Sequence, residues 1–391
     1  MRHLYLAATG QNRGKTTAAV GLLDLFLGRG LHTGFMKPVG QRTVIEDGQP
    51  ADEDAVLMKT VFGLPETYAA MSPVHIPRGF TKAYIAGEVV EDLPARIVAA
   101  HGTFAGHDIV LIEGTGHAGV GAVIGLSNAT VAALLGAPAI IISEGGVGRP
   151  IDEIVLNASH FGAHGVEVAG AIVNKVDLDA QPGITRTLER GLANHGIPLL
   201  GVLPIRRILS NPTLEMIHEG VQGELLHPGP DLERVIDGVA IGAMEPGHML
   251  ERVGPETLVI VPGDREDVIL TLTTAHLSGS PRRGNGLDTV PGMSADGDRR
   301  DGHEGAALGL VLTGGYRPRP GVVDAIRAAD LFAVLVAEDT YTVASEVHDL
   351  LVKTHAADTE KIELIKALVA STLDVDRILG VAREAAVVRP A

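Results

Sequence analysis

Six short runs of almost unbroken aliphatic character punctuate the first half of the chain, at residues 3–8, 33–37, 108–113, 137–143, 168–174 and 199–203. Their apolar character is continuous rather than alternating. Strands buried on both faces of a sheet read this way, because helices cover each side. Helical patterns fall between them, at 15–28, 51–62, 93–101, 128–135, 150–161 and 184–194. The repeated succession of buried strand, helix and buried strand predicts an α/β fold, a parallel sheet with helices on both faces. The rhythm weakens after about residue 222. It resumes with buried runs at 258–261, 309–313 and 333–337, and helical patterns at 264–276, 320–328, 340–353 and 358–370. A first domain over 1–225 and a smaller α/β domain over 230–375 are expected, in keeping with a length of 391 residues. The segment 278–305 reads SGSPRRGNGLDTVPGMSADGDRRDGHEG. It holds too little apolar surface to offset its ordering entropy, so a disordered insertion is expected there. Residues 376–391 are expected to form a flexible tail.

Charge and composition exclude several classes of function. Asp plus Glu number 48 against 32 Lys plus Arg, a net charge of −16. Neither nucleic acid nor an anionic membrane surface is an expected partner, since both are bound through clustered cations. Cysteine is absent, which removes disulfides, zinc–thiolate sites, iron–sulfur clusters and cysteine nucleophiles. The core must be aliphatic, because Trp is absent and there are five Tyr and seven Phe. The longest apolar run, 129–142, is interrupted by Gly136 and Pro138. It falls short of the roughly 18 residues that a spanning helix needs. With no room for an export signal before the first glycine loop, a cytoplasmic protein is expected.

The chemistry is concentrated where predicted strands end. The first strand runs into Thr9-Gly10-Gln11-Asn12-Arg13-Gly14-Lys15-Thr16-Thr17 and then a helix. Strand, glycine loop and helix in this order form a phosphate-binding loop. Backbone N–H groups of residues 10–17 and the positive helix end would hold phosphates. Gly14 would let the backbone approach, Lys15 would bridge phosphates and Thr16 would ligate Mg²⁺. The first glycine of the usual pattern is displaced by one, from Thr9 to Gly10. A second strand delivers Glu113, followed by Gly114, to the same end of the sheet. Glu113 could complete a Mg²⁺ shell of oxygen ligands. Lys37 closes another strand and would face the same cleft, where it could neutralise a phosphate or a carboxylate. Asp54 opens the next helix. It is either a dipole partner or a metal ligand. Asn174 ends a further strand in the run Asn174-Lys175-Val176-Asp177, where it could meet a purine edge. The same NKxD spacing resembles the guanine reader of GTPases, so ATP and GTP both stay open, and an Asx turn is a third reading. In the second domain, Gly263-Asp264-Arg265 and Thr313-Gly314-Gly315 follow strands, with no nucleophile–base pair near them; the roles of Asp264, Arg265 and Thr313 to Gly315 stay open. The sixteen His show no metal-ligand spacing.

Taken together, GQNRGKTT, MKPVGQ, LIEGTG and IVNKV resemble the dethiobiotin synthetase-like branch of P-loop proteins, and the GDRED and LTGGY pair resembles the DRTGG domain. The combination is similar to the N-terminal half of long phosphate acetyltransferases, without the acetyltransferase domain that follows there. The resemblance implies that Lys15 and Lys37 contact the phosphates of ATP, that Thr16, Asp54 and Glu113 hold Mg²⁺, and that Asn174 meets the adenine. It also implies a regulatory ATPase or nucleotide sensor, a homo-oligomer, tied to acetyl-phosphate metabolism. The alternatives are a ligase that activates a carboxylate or carbamate, with a small carboxylic acid or other metabolite as ligand, and a non-catalytic partner of a separate phosphate acetyltransferase.

Overall fold

The computed structural model describes residues 1–278, 307–350, 354–356 and 358–384. The chain forms two compact units, Met1–Ile205 with Thr354–Ala391, and Arg206–Lys353. The aliphatic runs of the first unit become β1 (Arg2–Ala8), β2 (Thr33–Met36), β3 (Ile109–Glu113), β4 (Ala139–Glu144), β5 (Val168–Val176) and β6 (Leu199–Pro204). They lie in the order β6-β5-β4-β1-β3-β2, and every pairing between them is parallel. From β1 the chain crosses to the edge strand β2, returns to β3, and then passes to the other side of β1. The carboxyl end of β1 is therefore the point where strand order reverses, the usual place for a ligand crevice in such a sheet. The register sets Leu6 of β1 beside Glu113 of β3.

Helix α1 (Lys15–Gly28) follows β1 directly. Helix α2 (Glu53–Phe62) starts at Asp52, whose carboxylate accepts from the Asp54 N–H, and stops at Gly63 in the left-handed region. Just before it, Thr43–Glu46 and Gln49–Asp52 pair as a small antiparallel hairpin. Its corner is Asp47-Gly48, both at positive φ, the conformation a two-residue hairpin turn requires. Helices α3 (Asn128–Leu135) and α4 (Gly148–Ala163) flank β4.

The second unit has a five-stranded sheet: β7 (Glu224–His227), β8 (Gly238–Ile241), β9 (Thr257–Pro262), β10 (Gly309–Thr313) and β11 (Phe332–Leu335), in the order β7-β11-β10-β9-β8. Only the edge pairing of β7 with β11 is antiparallel. One cluster packs Met249, Val261, Leu272, Leu312 and Ile326, and a second packs Leu214, Ile217, Ile260, Phe332 and Val343. The edge strands β7 and β8 are short and mostly half-buried or exposed, so a search for continuous apolar runs passes over them.

Three features differ from the sequence expectations. The units divide between Ile205 and Arg206 rather than near 225–230. The helical pattern at 358–370 becomes Thr359–Thr372 and belongs to the first unit, not the second. Its buried Ile362, Ile365, Leu368 and Val369 form a stripe, and Gly21 of α1 admits Val369, since a Cβ there would lie 2.3 Å from the valine Cβ. In place of a loose tail from 376, Val375–Val381 is a helix with Ile378 fully buried, and Arg383–Glu384 pairs antiparallel with the start of β1. The proposed insertion at 278–305, past Ser278, and residues 385–391 lie outside the described residues. Among the described residues no helix is long and apolar enough to cross a membrane.

Candidate functional site

The loop between β1 and α1 is held in one shape by its supports. Asn12 and Gly14 both have positive φ, at 56° and 95°. Gly14 caps α1, so the first turn of the helix has no side-chain cap, and it carries no acidic residue. Its amide dipoles are left to an external anion. A Cβ on Gly14 would lie 1.9 Å from Asn174 Nδ2. Glycine is therefore required on two counts, backbone conformation and close approach. Asn174, at the end of β5 and nearly buried, donates from Nδ2 to the Arg13 carbonyl at 3.1 Å. Lys175 donates to the Asn12 carbonyl at 3.2 Å and pairs with Glu144 at 2.7 Å. Arg13 also pairs with Glu144. Thr9 donates to Glu153 at 2.8 Å, next to Ser143. Read from the sequence, Asn174 meets a base or forms an Asx turn; in the structure its amide nitrogen holds the Arg13 carbonyl of the glycine loop. Asp177 accepts from the Ala180 N–H, a local turn. Gln11 and Asn12 are exposed, and Gly10, Arg13 and Thr17 are half-buried.

Below the loop the structure brings together Lys15, Thr16, Lys37, Asp54 and Glu113. The Thr16 hydroxyl lies 3.2 Å from Asp54 Oδ1 and 3.3 Å from Glu113 Oε1. The Lys37 ammonium donates to Asp54 at 2.5 Å and to Glu113 at 2.8 Å, and approaches the Gly114 carbonyl at 3.5 Å. Glu113 is 1% exposed, and its second oxygen has no hydrogen-bond partner among the described residues. Burial, then the neighbouring Asp54, push Glu113 up to about 7 against the pull of Lys37 and Lys15. Burial works against the Asp54 charge too, but Lys37 and the hydrogen bonds from Glu113 and Thr16 override it and hold Asp54 down at about 2. The pair thus shares out its charge: Asp54 ionises first and Glu113 keeps a proton until near neutrality. Burial disfavours the Lys37 ammonium, yet Asp54 and Glu113 outweigh that and hold its pKa above the ordinary lysine value. Lys15 is 8% exposed, and burial, then Lys37, push it down to about 8.

This donor set fits a hard divalent cation. It offers a hydroxyl and two carboxylates, oxygen atoms only, and one buried carboxylate oxygen lacks a partner. Such a cation would compete with Lys37 for the same two acids. It would also relieve Lys37 for the phosphate contact the sequence suggests.

Sequence reasoning passed over the residues that hold the neighbouring loop. Asn128, at the start of α3, accepts from the Tyr5 hydroxyl at 2.8 Å and from the Thr115 N–H at 3.0 Å. It donates to the Thr115 and His117 carbonyls. Gly114 is the residue that lets this knot close, since a Cβ there would lie 2.5 Å from Asn128 Oδ1. An isolated Asn at a helix start carries no signal of such a role. In the second unit, Arg265 pairs with Asp267 at 2.9 Å and donates to the Met244 carbonyl. The buried Thr313 hydroxyl meets Thr340, and Gly314 and Gly315 turn at positive φ. A Cβ on Gly263 would collide with the Tyr316 carbonyl. These glycines therefore serve loop packing.

A parallel sheet carrying a glycine loop and a lysine-led helix at its order-reversal point defines a P-loop α/β architecture, here followed by a second α/β unit. The chain belongs to the AAA domain family, whose model matches residues 2–213, and a DRTGG domain matches residues 216–350. Phosphate acetyltransferase of Pseudomonas putida is 25% identical over 96% of this chain and 51% of its own length. The chain thus spans about half the length of the curated relatives of this kind. The ATP-dependent dethiobiotin synthetase BioD of Anaeromyxobacter dehalogenans is 28% identical over 51% of this chain and 88% of that protein. Among solved structures, the septum site-determining protein MinD of Pyrococcus horikoshii, determined with Mg-ADP, shares 17% identity over 53% of this chain and 83% of its own, with a TM-score of 0.34.

Proposed function

We propose that the first unit binds ATP with Mg²⁺ and that the protein acts as a nucleotide-responsive regulator of the ATPase or sensor kind. The observation that carries this reading is the convergence of Lys15, Thr16, Asp54 and Glu113 beneath an uncapped helix start. Residues 10–17 would cradle the phosphates, Lys15 would lie along them, and Thr16, Asp54 and Glu113 would hold the metal. The bound metal would supply charge neutralisation during phosphoryl transfer. Gly114 and Asn174 would then act by shaping the two flanking loops. Similarity to one half of phosphate acetyltransferases supports a role in acetyl-phosphate or acetyl-CoA metabolism, through the second unit or a partner enzyme. Calorimetry with ATP and GTP, with and without Mg²⁺, tests the reading; Mg²⁺-dependent binding of ATP is expected, and no binding of either nucleotide would overturn it.

A ligase is the second reading. It is favoured by the match to most of the length of dethiobiotin synthetase and by Lys37 beside the acid pair. Phosphate release that starts only when a small carboxylic acid or amine is added would select it.

A further inference from the structure

At the amino end of the sheet, away from the phosphate loop, three residues far apart in sequence meet: His32 before β2, Glu66 after α2 and His107 before β3. A ligand atom from each lies within 4.8 Å of the other two. The two imidazole rings stack with centroids 3.9 Å apart and planes within 17°. His107 Nδ1 lies 3.1 Å from the Phe104 carbonyl, and His32 Nδ1 lies 3.2 Å from the Gly106 carbonyl. A carbonyl only accepts, so both Nδ1 atoms carry the hydrogen. With Nδ1 so engaged, Nε2 is the atom each ring has left for a ligand, and that of His107 faces Glu66 Oε1 at 2.8 Å. Two acceptors at that distance need a cation between them, either a proton or a metal ion. Glu66 is 8% exposed, and its Oε2 is buried with no hydrogen-bond partner among the described residues. Anchoring of one imidazole nitrogen on a backbone carbonyl, so that the other faces outward, is how metal-ligating histidines are oriented.

We propose that His32, Glu66 and His107 form a site for a divalent transition metal of the zinc class, clamping three segments of the first unit. Two imidazoles and one carboxylate suit zinc and its neighbours rather than Mg²⁺ or Ca²⁺, which take oxygen ligands. Metal bonds of about 2.0–2.1 Å hold tetrahedral ligands about 3.4 Å apart. The Glu66–His107 pair need open only slightly, whereas His32, exposed at the rim, must turn out of its stack on His107 to close the third position, because the lone pairs of parallel rings lie in parallel planes. The backbone frame is already set. The His32 N–H donates to Asp108 at 2.8 Å, and Lys59 donates to the Leu64 and Glu66 carbonyls at 2.7 and 2.6 Å. Gly34 leaves the space: a Cβ there would lie 2.5 Å from the Phe104 ring and 3.2 Å from His107. Ligand spacing along the sequence does not show this group, because each member sits on a different segment.

The test is titration of the full chain with Co²⁺ and with Zn²⁺ against a chromophoric chelator, in excess Mg²⁺ to fill oxygen-only sites. One Zn²⁺ per chain is expected, with a Co²⁺ absorption band of four-coordinate type. His32→Ala, at an exposed position, and the isosteric Glu66→Gln should each weaken Zn²⁺ binding by at least about 100-fold with unchanged circular dichroism. No Zn²⁺ uptake by the wild-type chain, or equal uptake by both variants, would overturn the proposal. A variant that loses stability while the wild type takes up no metal would show that the occupant is a proton, which also overturns it.

Discussion

Replacement of Lys37 by Met tests whether its ammonium is what makes two buried acids tolerable together. The wild-type ammonium lies 2.5 Å from Asp54 and 2.8 Å from Glu113, with Lys37 6%, Asp54 26% and Glu113 1% exposed. Methionine keeps most of the stem volume and removes the charge, leaving Asp54 and Glu113 with the Thr16 hydroxyl and only the more distant pull of Lys15. Removal of one partner of a buried ion pair costs about 3–5 kcal/mol. At about 2–4 °C per kcal/mol for a unit of this size, the first unit should melt about 6–20 °C lower. The assay is urea and thermal unfolding at pH 7.5 in a chelating buffer. Two controls bind the effect to the charge. Glu113→Gln on the Lys37→Met background should recover part of the loss, because it removes one of the stranded acids. Millimolar Mg²⁺ should narrow the gap to wild type, because the cation replaces the missing positive charge. A loss below about 1 kcal/mol, or a Glu113→Gln effect that is the same with and without Lys37, would refute the reasoning.

Three further outcomes are expected. Glu113 is raised to about 7 from an ordinary 4.5, so its folded form favours the proton; the stability it contributes is complete below about pH 4.5 and is lost as pH rises through 7. Glu113→Gln should flatten that slope, and denaturation midpoints measured from pH 4.5 to 8 would show it. Asp54, held down at about 2, has the opposite sign, with stability lost only as pH falls from 3.8 toward 2. Gly14→Ala should abolish nucleotide binding while circular dichroism stays native: the strained φ costs about 1–2 kcal/mol, and the methyl meets Asn174. Gly21→Leu should destabilise the first unit by more than the about 1–3 kcal/mol of ordinary overpacking, since Val369 lies where the side chain would go. A melting temperature equal to that of wild type would show that the Thr359–Thr372 helix does not rest on α1.

Much of the first unit was legible because its strands are buried on both faces. Continuous aliphatic runs such as 139–142 have few other readings, and a strand that ends in GKTT fixes the next helix. Glu113, Asp54 and Lys37 were legible as strand-end or helix-start charges, and the structure brings them together. Less legible were features that depend on distant partners. Asn174 looks like a free amide at a strand end, but Gly14 and Arg13 occupy it. The Thr359–Thr372 helix follows the second unit in sequence, and its fit against Gly21, with Lys366 beside Asp24, returns it to the first. The edge strands β7 and β8 are only four residues each and partly exposed, too short to stand out from loop. The Asp47-Gly48 corner carries a recognisable hairpin turn, which the helical pattern at 51–62 hides by overlapping its second strand.

The central claim is that residues 10–17 with Lys15 form a working phosphate site. Calorimetric titration of Mg·ATP into the wild-type chain and into Lys15→Ala tests it directly. Burial, then Lys37, hold the Lys15 pKa down at about 8 against the pull of Glu113 and Asp54, so its removal takes a disfavoured buried charge away and the fold should survive. The account predicts stoichiometric binding to wild type and affinity at least about 100-fold weaker in Lys15→Ala, since the phosphate contacts of such a loop are charge-assisted. Equal affinity in the two proteins, or no binding to wild type, would contradict it.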